Sequence, residues 1–321
     1  MTVHTVPVID LTPGPAATAD LVGQACADVG YFQITGHGIP RPLLAELFAV
    51  TRRFFALPPE VKQQVAQPAA DQVRGWSGAG SEGITYSLDE ESPADLKEKF
   101  DIGTVDPRPG PPTGPHHAPN LWPAGLPRFR ETWEAAHREF SRVDTAVQRC
   151  AGLALGLGPD ALTAHFTQPV SMLRALYYPD QPEPPLPGQL RAGVHSDYGA
   201  FTLAVAEDRP GALQVLDRGG EWTDVPVIPG AVLVMLGDLL TEWTDDRWPA
   251  TLHRVVNPRR DQAMDADRLA FAFYSHPDPE ASLHVLPGLP GGDQPPPPGT
   301  PTAGEHLRDK YVRQTSFGPH R

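Results

Sequence analysis

Three histidines of this chain have an acidic residue two positions later, a spacing that can bring an imidazole and a carboxylate to one metal ion. For 12 histidines among 321 residues, composition alone predicts about 1.5 such pairs, so the spacing is a weak signal by itself. His137–Glu139 follows a helical pattern, in which residues two apart point away from each other, and we interpret it as solvated surface. His276–Asp278 contains a proline and is typical of a turn. His195–Asp197 precedes a strand pattern, which would place both side chains on one sheet face.

His253 is the residue that could complete a metal site. It lies in the short run TLHRVV, a predicted strand, and could face the same cavity as His195 and Asp197. Two imidazoles and one carboxylate on one side of a metal leave open positions opposite, the arrangement used by non-haem Fe(II) oxygenases. We therefore predict a metal site at these three residues. His37 stands in a glycine-rich turn, and we expect it to stabilise that turn instead.

A cation is predicted near the same cavity. In the run RLAFAFY, strand alternation places Arg268, Ala270, Ala272 and Tyr274 on one face. The two alanines leave empty volume beside Arg268, and a guanidinium can hold a carboxylate with two parallel hydrogen bonds. The sequence therefore predicts a small carboxylate ligand at Arg268.

The same alternation suggests which residues meet a substrate. The parity that directs His195 and Asp197 toward the metal also directs Arg191 into the pocket, although Arg191 could equally form a surface salt bridge. Tyr274 offers a hydroxyl on an aromatic body, which suits a small organic molecule. We expect Tyr274 and Arg191 to contact the substrate.

The elements that must position these residues change character along the chain. Helical spacing predicts a helix that starts at Thr18 as its N-cap, a second over Leu43–Phe55, and a long third from Pro127 to Cys150. After Leu173 the sequence turns into seven short strand-like runs separated by glycine and proline, namely LRALYY, FTLAVA, ALQVL, EWTDV, AVLVML, TLHRVV and LAFAFY. Such runs predict an antiparallel sandwich or barrel, clasped by the earlier helices.

Charge and composition exclude several classes of partner. The chain has 26 Lys and Arg against 39 Asp and Glu, a net charge of −13, which disfavours nucleic acid and anionic membranes. Its longest aliphatic run, Ala231–Leu236, is too short to span a bilayer. The segment Met1–Leu11 lacks the features of an export signal, so we expect a cytoplasmic protein. Cys26 and Cys150 lie on apolar helix stripes and are predicted to be buried, inert thiols.

Nine ordered motifs make the sequence resemble the isopenicillin N synthase-like group of 2-oxoglutarate and Fe(II)-dependent dioxygenases. They are VPVIDL (6–11), GYFQITGHGIP (30–40), FFALPPEVK (54–62), DLKEKFDIG (95–103), NLWP (120–123), LYYP (176–179), HSDYGAFTL (195–203), GALQVL (211–216) and HRVVNP (253–258). The resemblance covers nearly the whole chain. It implies a mainly β fold, a distorted double-stranded β-helix or jelly roll, flanked by N-terminal and central α-helices.

The resemblance also implies roles for the residues singled out above. His195, Asp197 and His253 would bind Fe(II), Arg268 would bind the distal carboxylate of 2-oxoglutarate, and Tyr178 would donate a hydrogen bond to the same cosubstrate. The implied reaction consumes O2, releases succinate and CO2, and hydroxylates, desaturates or cyclises a small organic substrate of biosynthesis. We expect one domain over residues 1–321, with a helix-rich part to about 170, a jelly-roll core over about 171–286 and a C-terminal segment over 287–321.

Two positions depart from the family pattern. Ala270 stands where the family usually has a serine that binds the cosubstrate, and Leu176 replaces a frequent asparagine. Three other functions stay open at this point: a same-fold Fe(II) oxidase that does not use 2-oxoglutarate, a cupin isomerase and a non-catalytic binding module. A cupin needs a His-x-His pair, which this sequence lacks. The sequence predicts neither the substrate nor the oligomeric state.

Overall fold

Alternating and continuous apolar runs form twelve strands, and the amphipathic segments form six α-helices, in the part of the chain that the structure describes. The computed structural model describes residues 6–106 and 115–315, so residues 1–5, 107–114 and 316–321 lie outside it. The helices are α1 (Pro15–Asp28), α2 (Arg41–Phe55), α3 (Pro59–Lys62), α4 (Phe129–Ala154), α5 (Asp238–Trp243) and α6 (Ala303–Thr315). The strands are β1 (Val8–Asp10), β2 (Tyr31–Thr35), β3 (Gly75–Ser77), β4 (Glu98–Ile102), β5 (Met172–Tyr178), β6 (Ala192–His195), β7 (Phe201–Ala206), β8 (Leu213–Leu216), β9 (Trp222–Asp224), β10 (Val232–Leu236), β11 (His253–Val255) and β12 (Arg268–Tyr274).

The strands form two sheets. The large sheet has eight strands in the order β1-β2-β10-β7-β12-β5-β4-β3, and the small sheet has the order β6-β11-β8-β9. The pairing of β1 with β2 is parallel, whereas the central pairs of the large sheet and all pairs of the small sheet are antiparallel. This is the jelly-roll fold that the sequence predicted, without a closed barrel.

The outer face of the large sheet packs on α4. Trp133 of that helix meets Phe271 of β12 edge to face at 5.7 Å between ring centroids, and Phe140 stacks on Phe273 at 6.1 Å. These rings belong to the main hydrophobic core, which also contains Cys26 and Cys150 as free, buried thiols. The strand residues between these aromatics therefore face the other way, toward the small sheet. Among the described helices, none combines the length and the hydrophobicity that a membrane-spanning segment requires.

All seven predicted strands are present, but two details of the helices were wrong. Thr18 is not the N-cap, because α1 starts at Pro15 after Gly14 and the Thr18 hydroxyl donates to the Gly14 carbonyl at 3.0 Å inside the helix. His137 is not on the surface. It is buried, one turn after Trp133, and its ring packs against Phe273 at 5.3 Å. The buried face of α4 thus includes His137 in addition to the apolar residues that predicted it.

Candidate active site

His195 and His253 lie directly opposite each other on neighbouring antiparallel strands of the small sheet. His195 is the last residue of β6 and His253 the first of β11, and the register pairs the two. Their ring centroids are 4.1 Å apart. Asp197 follows β6, and its carboxylate oxygens lie 3.9 Å from Nε2 of His195 and 3.8 Å from Nε2 of His253. One ligand atom from each residue therefore falls within 4.8 Å of the other two.

Main-chain carbonyls fix the orientation of both imidazoles. Nδ1 of His195 lies 2.8 Å from the Gly193 carbonyl, and Nδ1 of His253 lies 2.9 Å from the Thr251 carbonyl. A carbonyl can only accept, so each Nδ1 carries the proton and each Nε2 presents a lone pair toward Asp197. Burial and the neighbouring His253 lower the pKa of His195 well below its usual range, which keeps that lone pair available.

The three side chains bring together atoms that can each bind a metal ion through a lone pair. All three are buried, and Oδ2 of Asp197 has no hydrogen-bond partner among the described residues. A buried carboxylate oxygen without a partner is costly unless a cation or a donor occupies the space before it. Two neutral imidazoles and a carboxylate on one side fit a divalent transition metal with open positions opposite. Within residues 6–106 and 115–315, no other group of three residues has this geometry.

Buried ion pairs support the strand that carries His195. Oδ1 of Asp95 accepts the Gly193 amide at 2.9 Å, and the carbonyl of the same glycine holds His195. Asp95 is itself ion-paired with Lys97, which lies 3.0 Å from Glu82. Sequence reasoning assigned these residues no role, although Asp95 and Lys97 belong to the DLKEKFDIG motif.

The site opens into a cavity of about 240 Å³ between the two sheets. Its floor contains four alanines on paired strands, with Ala270 opposite Ala206 and Ala272 opposite Ala204. These positions have the parity that alternation predicted for β12. Small side chains on both strands leave the volume that a larger residue would fill.

Arg268 and Tyr178 face each other across β12 and β5 at one end of this floor. The guanidinium carbon of Arg268 lies 5.7 Å from the Tyr178 ring, and its Nε donates to the Glu207 carbonyl at 3.2 Å. The Glu207 carboxylate bonds Arg52 instead, at 2.6 and 2.9 Å. Arg268 is buried and forms no ion pair in the described part of the chain, so its charge is available to an anionic ligand.

Tyr274 lines the cavity, but Arg191 does not. The Arg191 guanidinium is fully buried and donates to the carbonyls of Pro210 at 2.7 Å, Pro179 at 3.3 Å and Ala266. These bonds join the loops that follow β5 and β7 to the one before β12. The structure thus corrects both expectations for Arg191, since it contacts neither the cavity nor a surface carboxylate.

His37 joins the turn that contains it to the cavity wall. Its Nδ1 accepts the Ile39 amide at 3.2 Å, so Nε2 carries the proton and donates to the Gly230 carbonyl at 3.0 Å. Gly230 belongs to the loop over residues 225–231, which lines the cavity together with Leu44 and Phe48 of α2. The sequence predicted the turn role of His37 but gave no signal for this wall, because its residues come from distant segments.

Comparison with known proteins gives matches over both halves of the chain. Residues 6–125 match the family of the non-haem dioxygenase in morphine synthesis, N-terminal part, and residues 169–277 match the 2OG-Fe(II) oxygenase superfamily. Validamycin A dioxygenase of Streptomyces hygroscopicus subsp. limoneus is 32% identical over 96% of this chain and 86% of its own. Clavatol oxidase claD of Penicillium crustosum is 30% identical over 95% of each chain.

Solved structures agree in fold. A full-length protein of Neurospora crassa, solved in complex with alpha-KG, has a TM-score of 0.79 at 25% identity and covers 96% of each chain. A 2OG-Fe(II) oxygenase family protein from Caulobacter crescentus has a TM-score of 0.81 at 26% identity, over 95% of this chain and 98% of its own. The similarity therefore includes the helices as well as both sheets.

Proposed function

The chain belongs to the 2OG-Fe(II) oxygenase superfamily and is a 2-oxoglutarate and Fe(II)-dependent dioxygenase, and on this premise we propose which of its residues hold each reactant. Fe(II) is the metal cofactor of the family and 2-oxoglutarate and O2 are its cosubstrates, and the substrate is a small molecule that loses a C–H bond. The oxidase without 2-oxoglutarate, the cupin isomerase and the non-catalytic module are not supported by these relatives.

We assign the iron to His195, Asp197 and His253. The observation that carries this assignment is the unpartnered Oδ2 of Asp197, buried between two imidazoles whose Nε2 lone pairs point at it. Ferrous iron held there supplies the redox chemistry with O2. The protein side chains occupy one side only, so the opposite side is left for the cosubstrate and O2.

Arg268 and Tyr178 are assigned to 2-oxoglutarate. The guanidinium forms no ion pair among the described residues, lies at the end of an alanine floor and can grip a carboxylate with two parallel hydrogen bonds. The Tyr178 hydroxyl would donate to the same carboxylate. Ala270 has no hydroxyl to add, so one hydrogen bond frequent in the family is absent here and a water molecule can take its place.

For hydroxylation, the reaction converts R–H, 2-oxoglutarate and O2 into R–OH, succinate and CO2, with one oxygen atom entering each of the product and succinate. Desaturation or cyclisation would instead release water. Tyr274 is assigned to the substrate because its side chain lines the cavity. The names of the relatives, validamycin A dioxygenase and clavatol oxidase, favour a small biosynthetic substrate, and a cytoplasmic location stays a prediction from the sequence.

The direct test measures succinate against O2 in protein reconstituted with Fe(II). We expect succinate to form slowly from 2-oxoglutarate alone and faster when a substrate is added. Oxidation of a substrate without succinate would contradict the use of 2-oxoglutarate. Iron that binds normally to a variant lacking His195 would contradict the assignment of the ligands.

A further inference from the structure

The cavity has a second polar end, at the opposite end of β12 from Arg268. Thr202 of β7 and Tyr274 of β12 are direct partners in the antiparallel register, and both line the cavity. Side chains at such paired positions have their Cβ atoms roughly 5 Å apart. The two hydroxyl-bearing residues therefore form one polar pair, separated from Arg268 by the alanine floor.

Neither hydroxyl of this pair has a partner in the described protein. Thr202 is 1% exposed, and its Oγ1 is buried without a hydrogen bond. Tyr274 makes ring contacts with Arg174 and His276, but its hydroxyl forms no hydrogen bond with the described residues. A buried hydroxyl without a partner costs free energy, so the Thr202 hydroxyl is placed to bond something that enters the cavity, next to the hydroxyl of the partly exposed Tyr274, which can bond the same group.

Arg174 adds a donor next to the pair. Its Nε donates to Asp101 at 2.6 Å and its Nη2 to the same carboxylate at 3.3 Å, whereas Nη1 forms no hydrogen bond among the described residues. Arg174 lines the cavity, and its guanidinium carbon lies 5.4 Å from the Tyr274 ring. A group bound between the two hydroxyls thus also meets a guanidinium.

The charges along the cavity wall have one dominant sign. The lining residues include three cations, Lys97, Arg174 and Arg268, and a single carboxylate, Asp197, which belongs to the metal site. A substrate ammonium would find no free carboxylate in this lining, because the carboxylates that pair with Lys97 and Arg174 lie outside it and are already engaged. An oxygen acceptor would find hydroxyl and guanidinium donors.

We propose that Thr202 and Tyr274 anchor the substrate through an acceptor oxygen, a carbonyl or a carboxylate, and that the enzyme discriminates against amines at this end of the cavity. The inference rests on the proposed function, since it places the substrate in the cavity of the metal site. Most of the remaining wall is apolar, with Leu44, Phe48 and Leu233, so the body of the substrate is hydrophobic.

Three probes with one carbon skeleton test the proposal. Cyclohexanecarboxamide, cyclohexanecarboxylate and cyclohexylmethylamine are titrated into anaerobic protein loaded with Fe(II) and saturating 2-oxoglutarate, which occupies Arg268. We expect the protonated amine to bind at least about tenfold more weakly than the better of the two oxygen-bearing probes. The stronger of those two tells whether the natural group is a neutral carbonyl or an acid.

Two isosteric variants locate the anchor. Thr202→Val and Tyr274→Phe each remove one donor and should weaken the better oxygen-bearing probe by about fivefold, the worth of one hydrogen bond. Tyr31→Phe is the matched control, because Tyr31 is a buried tyrosine of the same sheet that does not line the cavity. It should bind all three probes as the wild type does.

Three results would overturn the proposal: an amine that binds as tightly as the oxygen-bearing probes, no binding of either oxygen-bearing probe, or unchanged affinities in both variants. Iron content and 2-oxoglutarate affinity are measured on the same wild-type sample. A sample that fails to bind them contradicts the proposed function itself. Normal binding of both together with a preference for the amine contradicts only the anchor.

Discussion

Each histidine assigned to the iron is oriented by a main-chain carbonyl two residues before it. His195 bonds Gly193 and His253 bonds Thr251, so the strand geometry itself fixes which ring nitrogen is protonated. No further side chain is needed to choose the tautomer. The Asp197 carboxylate, by contrast, has an oxygen without a partner among the described residues, which a cation bound between the two imidazoles would pair with.

This organisation predicts that His195→Ala loses the iron. A three-residue site has no spare protein ligand, so we expect less than about a tenth of the wild-type iron content and no succinate formation. Metal analysis and circular dichroism on one sample check the loss and the fold. His137→Ala is the control, because it removes a buried histidine of α4 and should lower the Tm while iron content stays stoichiometric.

Arg268→Lys should weaken 2-oxoglutarate binding while iron remains. Lysine keeps the charge but cannot form two parallel hydrogen bonds, and the loss of one charge-assisted bond is worth about tenfold or more in Kd. Anaerobic titration of the Fe(II) protein with 2-oxoglutarate measures this. Arg254→Lys, which changes an arginine stacked on Trp222 in the small sheet, serves as the control. Equal affinity in Arg268→Lys and wild type would reassign the arginine.

Asp95→Ala should loosen the iron through Gly193. In this variant the Gly193 amide loses its acceptor, so the carbonyl that orients His195 is less well fixed. We expect iron affinity to fall about 10-fold to 100-fold. Asp95→Asn keeps an acceptor oxygen and should recover part of the loss, which a general effect on stability would not reproduce. Competition with a chelator, alongside thermal melting, distinguishes the two explanations.

At the scale of elements, the spacing of apolar residues predicted the strands whose formation depends on that spacing. The seven predicted strands alternate or are continuously apolar, and each is present. The hydrophobic pattern did not predict β4, because this strand buries charged residues. Lys99 and Asp101 point inward, and Asp101 pairs with Arg174 of β5. From the sequence, a carboxylate such as that of Asp101 is expected on the surface, because its buried partner Arg174 lies 73 positions away.

The sequence indicated more of the candidate site's residues than of the contacts that surround them. His195, Asp197 and Arg268 follow from residue type and strand parity, which are local properties. Arg191 has a plausible parity, but it precedes β6, and loops from three parts of the chain supply the carbonyls that bind it. The Thr202 hydroxyl carries no signal in the sequence, because a threonine in a strand is ordinary until its missing partner is seen.

The contact of α4 with the end of β12 contains a titratable group. Burial raises the pKa of Asp144 from 3.8 to about 7, although Ser275 and Gln148 both donate to its Oδ2 at 2.8 Å. The unfolded chain releases this proton near pH 4 while the folded protein retains it. Stability from this group is therefore complete below pH 4 and is lost as pH rises toward about 7.

Asp144→Asn should remove the loss of stability that Asp144 causes as pH rises, because asparagine does not titrate. Compared with wild type, the variant should become more stable as pH rises from 5 to 8, by up to about 3 kcal/mol, because the wild type loses stability over about two pH units, from pH 5 to its folded pKa of about 7. Thermal melting at both pH values measures the difference. Glu131→Gln changes an exposed carboxylate of the same helix and should melt in parallel with wild type at both. A constant Tm difference between Asp144→Asn and wild type across this range would contradict the assignment.

At the scale of the whole molecule, the C-terminal helix α6 contacts residues next to the candidate metal site. The Tyr198 hydroxyl donates to Oε1 of Gln314 at 2.8 Å, and the Gly83 amide donates to the Gln314 carbonyl at 3.0 Å. Tyr198 directly follows Asp197, and Gly83 follows the Glu82 carboxylate that pairs with Lys97. One domain over residues 1–321 stays a prediction, and these long-range contacts favour it.

Because the Gln314 side chain accepts from the Tyr198 hydroxyl and donates to the Glu82 carboxylate at 3.4 Å, Gln314→Ala should speed the release of iron. Loss of the side-chain acceptor leaves the Tyr198 hydroxyl buried and unpartnered, which costs about 1 to 3 kcal/mol and loosens the residue next to the Asp197 ligand. We expect iron release to a chelator to be at least about fivefold faster. Arg308→Ala removes an exposed residue of the same helix, paired with Asp71, and should release iron at the wild-type rate. An unchanged rate in Gln314→Ala would show that the helix supports the fold without bracing the metal ligand.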